Sequence, residues 1–166
     1  SIFPPHLISK QQQRIQDKQY PVEYLELSRD ADGKIIDKPS RKIPITEWPI
    51  SKKTEDKEGV LCIYERPHKD PSFGMYYASV DPVGEGKTTT SDSLCAIYVY
   101  KNPVEIIKDS GNGNVENSIE RDKIVASWCG RFDDINKTHE RLELLIEWYN
   151  AWTIVENNVA LFIQYM

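Results

Sequence analysis

The stretch from Met75 to Tyr100 constrains this chain most, because it places two strand-forming runs on either side of a polar loop and puts an acid at the mouth of that loop. Met75-Tyr-Tyr-Ala-Ser-Val80 is aromatic, β-branched and small, bounded by Gly74 and Pro82, a composition that suits a strand buried over most of its surface. Leu94-Cys-Ala-Ile-Tyr-Val-Tyr100 is a second run of the same kind, and the residues between are rich in Gly, Thr and Ser. The pair reads as an antiparallel hairpin with a long connection. Asp81 closes the first strand, so a rigid element carries its carboxylate to the end of a sheet, where a site can be built.

The loop itself, Gly84-Glu-Gly-Lys-Thr-Thr-Thr90, is similar to part of a phosphate-cradling loop. That pattern needs a Gly five residues before Gly86, where this chain has Asp81, a carboxylate that would repel a phosphate. It also needs a helix after the Lys-Thr pair, and Ser93 to Tyr100 has strand composition instead. A polar loop between strands is the simpler reading.

At 166 residues the chain is about one domain long and can bury a real core. No apolar run approaches the ~20 residues of a membrane-spanning helix. Ser1-Ile-Phe-Pro-Pro5 has neither the basic start nor the apolar stretch of a secretory signal. Without an initiator Met, the chain reads as a piece of something larger. Cys62, Cys95 and Cys129 are odd in number, far apart and set in or beside apolar runs, as expected of reduced thiols in a cytoplasmic protein. With His6, His68 and His139 equally scattered, the spacing argues against a Cys/His metal site. The net charge of −5 works against a backbone-neutralising nucleic-acid surface, although an acidic metal site can dominate such a sum.

Residues 1–20 read as a short polar helix or arm, ended by Pro21. Val22-Glu-Tyr-Leu-Glu-Leu27 alternates as a strand does, and Arg29-Asp-Ala-Asp-Gly33 turns it into Lys34-Ile-Ile36. Lys38 to Glu58, rich in Pro and charge with Trp48 as an anchor, reads as a connecting loop. Gly59 to Glu65 is a further short strand, and Lys108 to Asp122, with Gly111-Asn-Gly-Asn114, a flexible tip or insertion. Lys123-Ile-Val-Ala-Ser-Trp-Cys129 is the third main strand, closed by Gly130. Asp133 or Asp134 caps a helix whose Ile135, Leu142, Leu145, Ile146 and Tyr149 share one face, and Asn150 ends it. Trp152-Thr-Ile-Val-Glu156 is a fourth strand, again ending in a carboxylate, and the apolar segment 159–166 begins a helix.

Three strands, a helix and a strand, with acids ending the first and fourth, predict a ribonuclease-H-like α/β fold. Its mixed sheet would have three antiparallel strands and a parallel fourth, preceded by a hairpin. If the fourth strand lies beside the first, Asp81 and Glu156 emerge at one edge.

Four segments carry a specific resemblance: Tyr77-Ala-Ser-Val-Asp-Pro-Val-Gly-Glu-Gly86, Ser91-Asp-Ser93, Ala126-Ser-Trp-Cys-Gly-Arg131 and Tyr149-Asn-Ala-Trp-Thr-Ile-Val-Glu-Asn-Asn158. Together, across about Tyr64 to Met166, the chain resembles the C-terminal nuclease domain of the large terminase subunit of tailed bacteriophages. Tyr149-Asn-Ala151 entering a strand that ends in Glu156-Asn-Asn158 is the most distinctive part.

The resemblance implies a metal-dependent endonuclease that cuts concatemeric viral DNA during packaging, in the cytoplasm of a bacterial host. It divides the chain into the tail and linker of an upstream ATPase motor, residues 1–58, and a partial nuclease domain, residues 59–166. Portal and small terminase subunit become partners, and no membrane is involved. It assigns the first two acids to Asp81 and Glu156, with Mg²⁺ or Mn²⁺ as cofactor, and places a third acid downstream of Met166. Two-metal hydrolysis follows, with Asp81 bridging two ions and Glu156 holding one. Asp92 is a candidate outer ligand, and Arg131, Lys87 and Thr88 are candidate DNA contacts. The alternatives are another ribonuclease-H-like enzyme, of resolvase or transposase type, and a non-catalytic docking module.

Overall fold

In a computed structural model the described residues are 21–45, 57–83, 93–109 and 115–156, with isolated positions 6, 9, 10 and 13; over 104–120 the backbone alone is described. The strands are β1 (Glu23–Arg29), β2 (Ile35–Pro39), β3 (Leu61–Ile63), β4 (Tyr76–Asp81), β5 (Cys95–Lys101), β6 (Val104–Asp109), β7 (Val115–Glu120), β8 (Lys123–Gly130) and β9 (Trp152–Val155). One helix, α1 (Ile135–Tyr149), lies between β8 and β9. Seven strands form one mixed sheet in the order β2-β1-β3-β8-β5-β4-β9, and β6 with β7 forms a separate two-stranded ribbon.

The alternation along β4 and β5 sets the sheet's two faces. Tyr76, Ala78 and Val80 are buried beside Cys95, Ile97 and Val99, while Ser79, Asp81, Tyr98 and Tyr100 are exposed. Antiparallel pairing of Ala78 with Val99 and Val80 with Ile97 joins the buried sets, and Trp128 of β8 extends them opposite Ile97. α1 lies on that buried face, delivering Leu142, Leu145 and Tyr149 into the core. The Tyr149 hydroxyl donates to the Glu65 carbonyl at 2.5 Å, and its ring meets Tyr76 edge to face at 5.1 Å. Those contacts give the buried hydroxyl an acceptor, without which burial would be costly.

The helix ends follow local chemistry. Asp134, in an extended conformation, accepts the Asn136 amide at 3.0 Å as an N-cap. Thr138 turns its hydroxyl back to accept the Phe132 amide, tying the first turn to the incoming loop. At the other end Asn150 adopts the left-handed conformation (φ 49°, ψ 46°), and Asn150 and Ala151 return their amides to the carbonyls of Glu147 and Ile146. The next residue begins β9. A helical crossover between strands of one sheet makes them parallel, and β9 pairs with β4 in parallel as expected.

The expected β1–β2 hairpin is present. Asp30 accepts the amides of Asp32 and Lys34 in its turn, and β1 pairs onward with β3, so the hairpin is continuous with the main sheet. Arg29 donates to Glu143 at 3.0 Å and to Glu147 at 2.6 Å, linking β1 to α1. The expected strand from Gly59 to Glu65 is regular only over three residues, and β2 runs through Pro39 into what was read as loop. The flanks of the segment read as a flexible tip or insertion pair as an antiparallel ribbon, from Val104 opposite Glu120 to Asp109 opposite Val115, and residues 110–114 with Gly111 lie outside the described residues. Trp48 and the loop 84–90 lie outside the described residues.

Candidate functional site

The carboxyl ends of β4 and β9 form the sheet end to which the two strand-ending acids are carried. The parallel register runs Tyr77 opposite Trp152, Ala78 opposite Thr153, Ser79 opposite Ile154 and Val80 opposite Val155. The ladder then closes with the Glu156 amide donating to the Val80 carbonyl at 3.0 Å. Asp81 and Glu156 are therefore the next residues along the two strands, and both are exposed. Because side chains alternate along a strand, Asp81 shares a face with Ser79 and Glu156 with Ile154, and those two are register partners. The two carboxylates thus leave the same end and the same face of the sheet, on the side opposite α1.

The row beneath Asp81 continues through Ala96 of β5 to Cys129 of β8. Cys95, turned to the opposite face, is fully buried; burial first, and then the negative charge of Asp81, push its thiol up to about 12. It is a neutral packing residue beside the acid. Cys62 and Cys129 are also free thiols, and burial raises both.

Arg131 follows β8 at the same end of the sheet. It is 5% exposed, its guanidinium donates to the Ser93 carbonyl at 3.0 Å, and its amide donates to the Lys57 carbonyl at 2.7 Å. The positions of these partners tie the entry to β5, the exit from β8 and the segment before β3 into one joint. The Trp128 indole donates to the Glu58 carbonyl at 2.9 Å in the same joint. Two glycines let the backbones meet there: a Cβ on Gly59 would lie 2.3 Å from the Cys129 carbonyl oxygen, and one on Gly130 would lie 2.3 Å from that of Glu58. Nothing in the residue types announced this joint except Gly130 at the end of its strand. Arg131, a candidate DNA contact, is thus bonded at least to the backbone of Ser93 and Lys57.

Asp92, Lys87 and Thr88 lie outside the described residues. Among the described residues no group of three or more His, Cys, Asp or Glu side chains is gathered as a metal cluster. The pair at the β4–β9 edge supplies oxygen donors alone, a set that suits a hard divalent ion such as Mg²⁺ or Mn²⁺ and disfavours a soft one.

At the far end of the sheet the charged groups are mutually satisfied. Glu65 takes Lys101 at 2.6 Å and also Lys123; burial would raise its carboxyl, but these two ammonium groups outweigh it and hold it below the usual range. Arg66 bonds Glu23 at 2.8 Å and Asp37 at 2.9 Å, lowering the Glu23 carboxyl. Acids at that end are consumed in ion pairs, in contrast to the exposed Asp81 and Glu156. No helix among the described residues is long and apolar enough to cross a membrane. No family model, curated protein or solved structure matches the chain.

Proposed function

We propose that this chain carries the catalytic edge of a ribonuclease-H-like, metal-dependent DNA endonuclease of the terminase large-subunit type. The observation that supports this reading best is the parallel β4–β9 pair, closed by the Glu156 amide on the Val80 carbonyl, which brings Asp81 and Glu156 to one sheet end. The strand order β8-β5-β4-β9, with α1 crossing from β8 to β9 and β9 parallel to β4, supports this reading.

In this reading Asp81 and Glu156 hold Mg²⁺ or Mn²⁺, with Asp92 as an outer ligand. The bound ions supply Lewis-acid activation of water and charge neutralisation at a scissile phosphodiester. The chain's own contribution is positional. Two carboxylates on paired strands keep their spacing without help from flexible loops, and their exposure leaves room for a phosphate and water. Lys87 and Thr88 contact the DNA backbone, and Arg131 steadies the start of β5 beside the site through Ser93. The substrate is double-stranded DNA in a bacterial host cytoplasm, and the upstream partner is an ATPase motor acting with portal and small subunit. Residues 1–58 form the linker region of such an assembly and residues 59–166 its nuclease-type part.

The test is a thermal-shift titration of the chain with MnCl₂ and MgCl₂, comparing wild type with Asp81→Asn and Glu156→Gln. At a hundredfold excess over Kd, binding to the folded state alone raises the melting temperature of a chain this size by roughly 5–10 °C. We expect that rise in wild type and its loss in each variant. A wild type indifferent to both metals, or variants that respond as wild type does, would overturn the proposal.

A further inference from the structure

A cleft of about 490 Å³ opens where the β1–β2 turn, the loop after β3 and the last turn of α1 come together. That volume falls within the range of small-molecule sites. Lys34 and Ile35 line it from the turn, Arg66, His68 and Lys69 from the loop, and Trp148 from the helix. Neither Asp81 nor Glu156 belongs to it.

The charges around this cleft do not cancel. Asp37 and Glu147 also line it, but each is already held by a guanidinium, Asp37 by Arg66 at 2.9 Å and Glu147 by Arg29 at 2.6 Å. Lys34 and Lys69 are exposed, and neither forms an ion pair among the described residues. An anion entering here meets two uncommitted ammonium groups and the imidazole of His68, which supplies a ring N–H donor.

The frame of the cleft is set before any ligand arrives. The His68 amide donates to the hydroxyl of Tyr76, a fully buried core residue, at 3.0 Å, and Arg66 is fixed by Glu23 as well as Asp37. In the turn the Lys34 amide donates to the Asp30 carboxylate at 2.9 Å, and the Gly33 carbonyl accepts from Arg29 at 3.2 Å. Trp148 stands edge to face on the buried Tyr149, with ring centres 5.4 Å apart. Anchoring of this kind lowers the ordering cost of binding. The Ile146 and Glu147 carbonyls at the end of α1, which would otherwise repel an anion, accept the amides of Ala151 and Asn150.

We propose that this cleft binds a nucleoside monophosphate, with the phosphate between Lys34 and Lys69 and the base against Trp148 and Ile35. A phosphate group carries close to two negative charges and three acceptor oxygens, which suits ammonium groups brought from two separate segments. A single carboxylate would leave one of those lysines unused. The indole and Ile35 form an apolar wall, and every base has a π-face that can lie on an aromatic ring. A wholly apolar ligand would leave the cations unmatched, and a bare phosphate would leave the indole uncovered.

The experiment is an amide-resolved NMR titration of the chain with AMP, GMP, CMP and UMP in turn, beside adenosine and inorganic phosphate separately. We expect at least one nucleotide to give saturable shifts at the Trp148 indole N–H and the amides of Lys34, His68 and Lys69, with Kd below ~1 mM. Adenosine and phosphate alone should each bind at least ~10-fold more weakly than that nucleotide, and the Lys34→Gln/Lys69→Gln double variant should weaken it by roughly tenfold. Both lysines are exposed, so the double variant should keep the dispersed spectrum of wild type. Lys38→Gln, on β2 outside the cleft, and Asp81→Asn should bind as wild type does, which separates this site from the nuclease reading. Absence of saturable shifts with all four nucleotides, shifts confined to other parts of the chain, phosphate binding as tightly as the nucleotides, or unchanged affinity in the double variant would each overturn the proposal.

Discussion

Gly59 shows how a single residue controls this structure. Its φ of +60° lies in the left-handed region, and a Cβ there would sit 2.3 Å from a backbone oxygen that has no freedom to rotate away. Gly33 has φ of +79° in the β1–β2 turn but open space around it, so the two glycines separate conformational strain from collision. Gly33→Ala should cost about 1 kcal/mol, and Gly59→Ala at least ~2 kcal/mol more, read from the shift in urea midpoint at constant slope. His139 gives a second residue-scale expectation. It is buried on α1, and burial lowers its pKa below the ordinary 6.5, so the unfolded chain binds the proton first. Stability should therefore be full above pH 6.5 and fall as the pH drops from there toward the lowered folded-state value. Melting curves between pH 7.5 and 5 should show that decline in wild type and a flatter profile in His139→Gln.

At the scale of elements, the ends of α1 were readable because capping is local. Asp134 and Asn150 each act within three or four residues of chain, which is the range over which residue identity alone decides geometry. Asp134→Ala should cost about 1 kcal/mol. Asn150→Val should cost about 1–2 kcal/mol through a β-branched side chain in the left-handed region, whereas Asn150→Gly should be close to neutral, all measured as unfolding free energies. The strands carrying Asp81 and Glu156 were readable for a similar reason: each is a β-branched and aromatic run stopped by Pro82 or by Asn157-Asn158. Their register was not. Val80 and Val155 meet across four intervening strands and a helix, and no local preference encodes a pairing across that separation. The β6–β7 pairing was missed although Gly-Asn between two strand-capable flanks is a turn signal, because Lys108, Asp109, Glu116 and Asn117 dilute the pattern on either side. The inward setting of Arg131 was equally hidden, since it depends on where Ser93 and Lys57 arrive from distant parts of the chain.

For the whole molecule, charge is distributed unevenly between the two ends of the sheet. Ion pairs at the Glu65 and Arg66 end, and the Arg29 bridge to α1, hold Glu23, Glu65 and Glu147 below their ordinary 4.5. The sign follows from depressed folded-state values: their stabilisation is complete above about pH 4.5 and is lost as the pH falls through the lowered values. Acid unfolding monitored by fluorescence should begin below that point. Glu65→Gln, which leaves Lys101 and Lys123 facing a neutral partner, should shift the transition and lower neutral-pH stability. Asp81 lies exposed at the other end of the sheet, so Asp81→Asn should stay within about 0.5 kcal/mol of wild type in metal-free unfolding free energy.

β9 is four residues long, and among the described residues β4 is its sole strand neighbour. Trp152 anchors its beginning, packed edge to face on Phe73 at 4.8 Å and on Tyr77 at 6.2 Å, while its far end carries Glu156 with a single described backbone bond to Val80. Opening should therefore start at the acid and travel toward the tryptophan, separating Glu156 from Asp81 while β5 and β8 remain paired. The fraction of molecules with an intact acid pair is then set by this local breathing rather than by global unfolding, and amide exchange at Val155 and Glu156 should outpace that at Ile97 and Val99 by orders of magnitude.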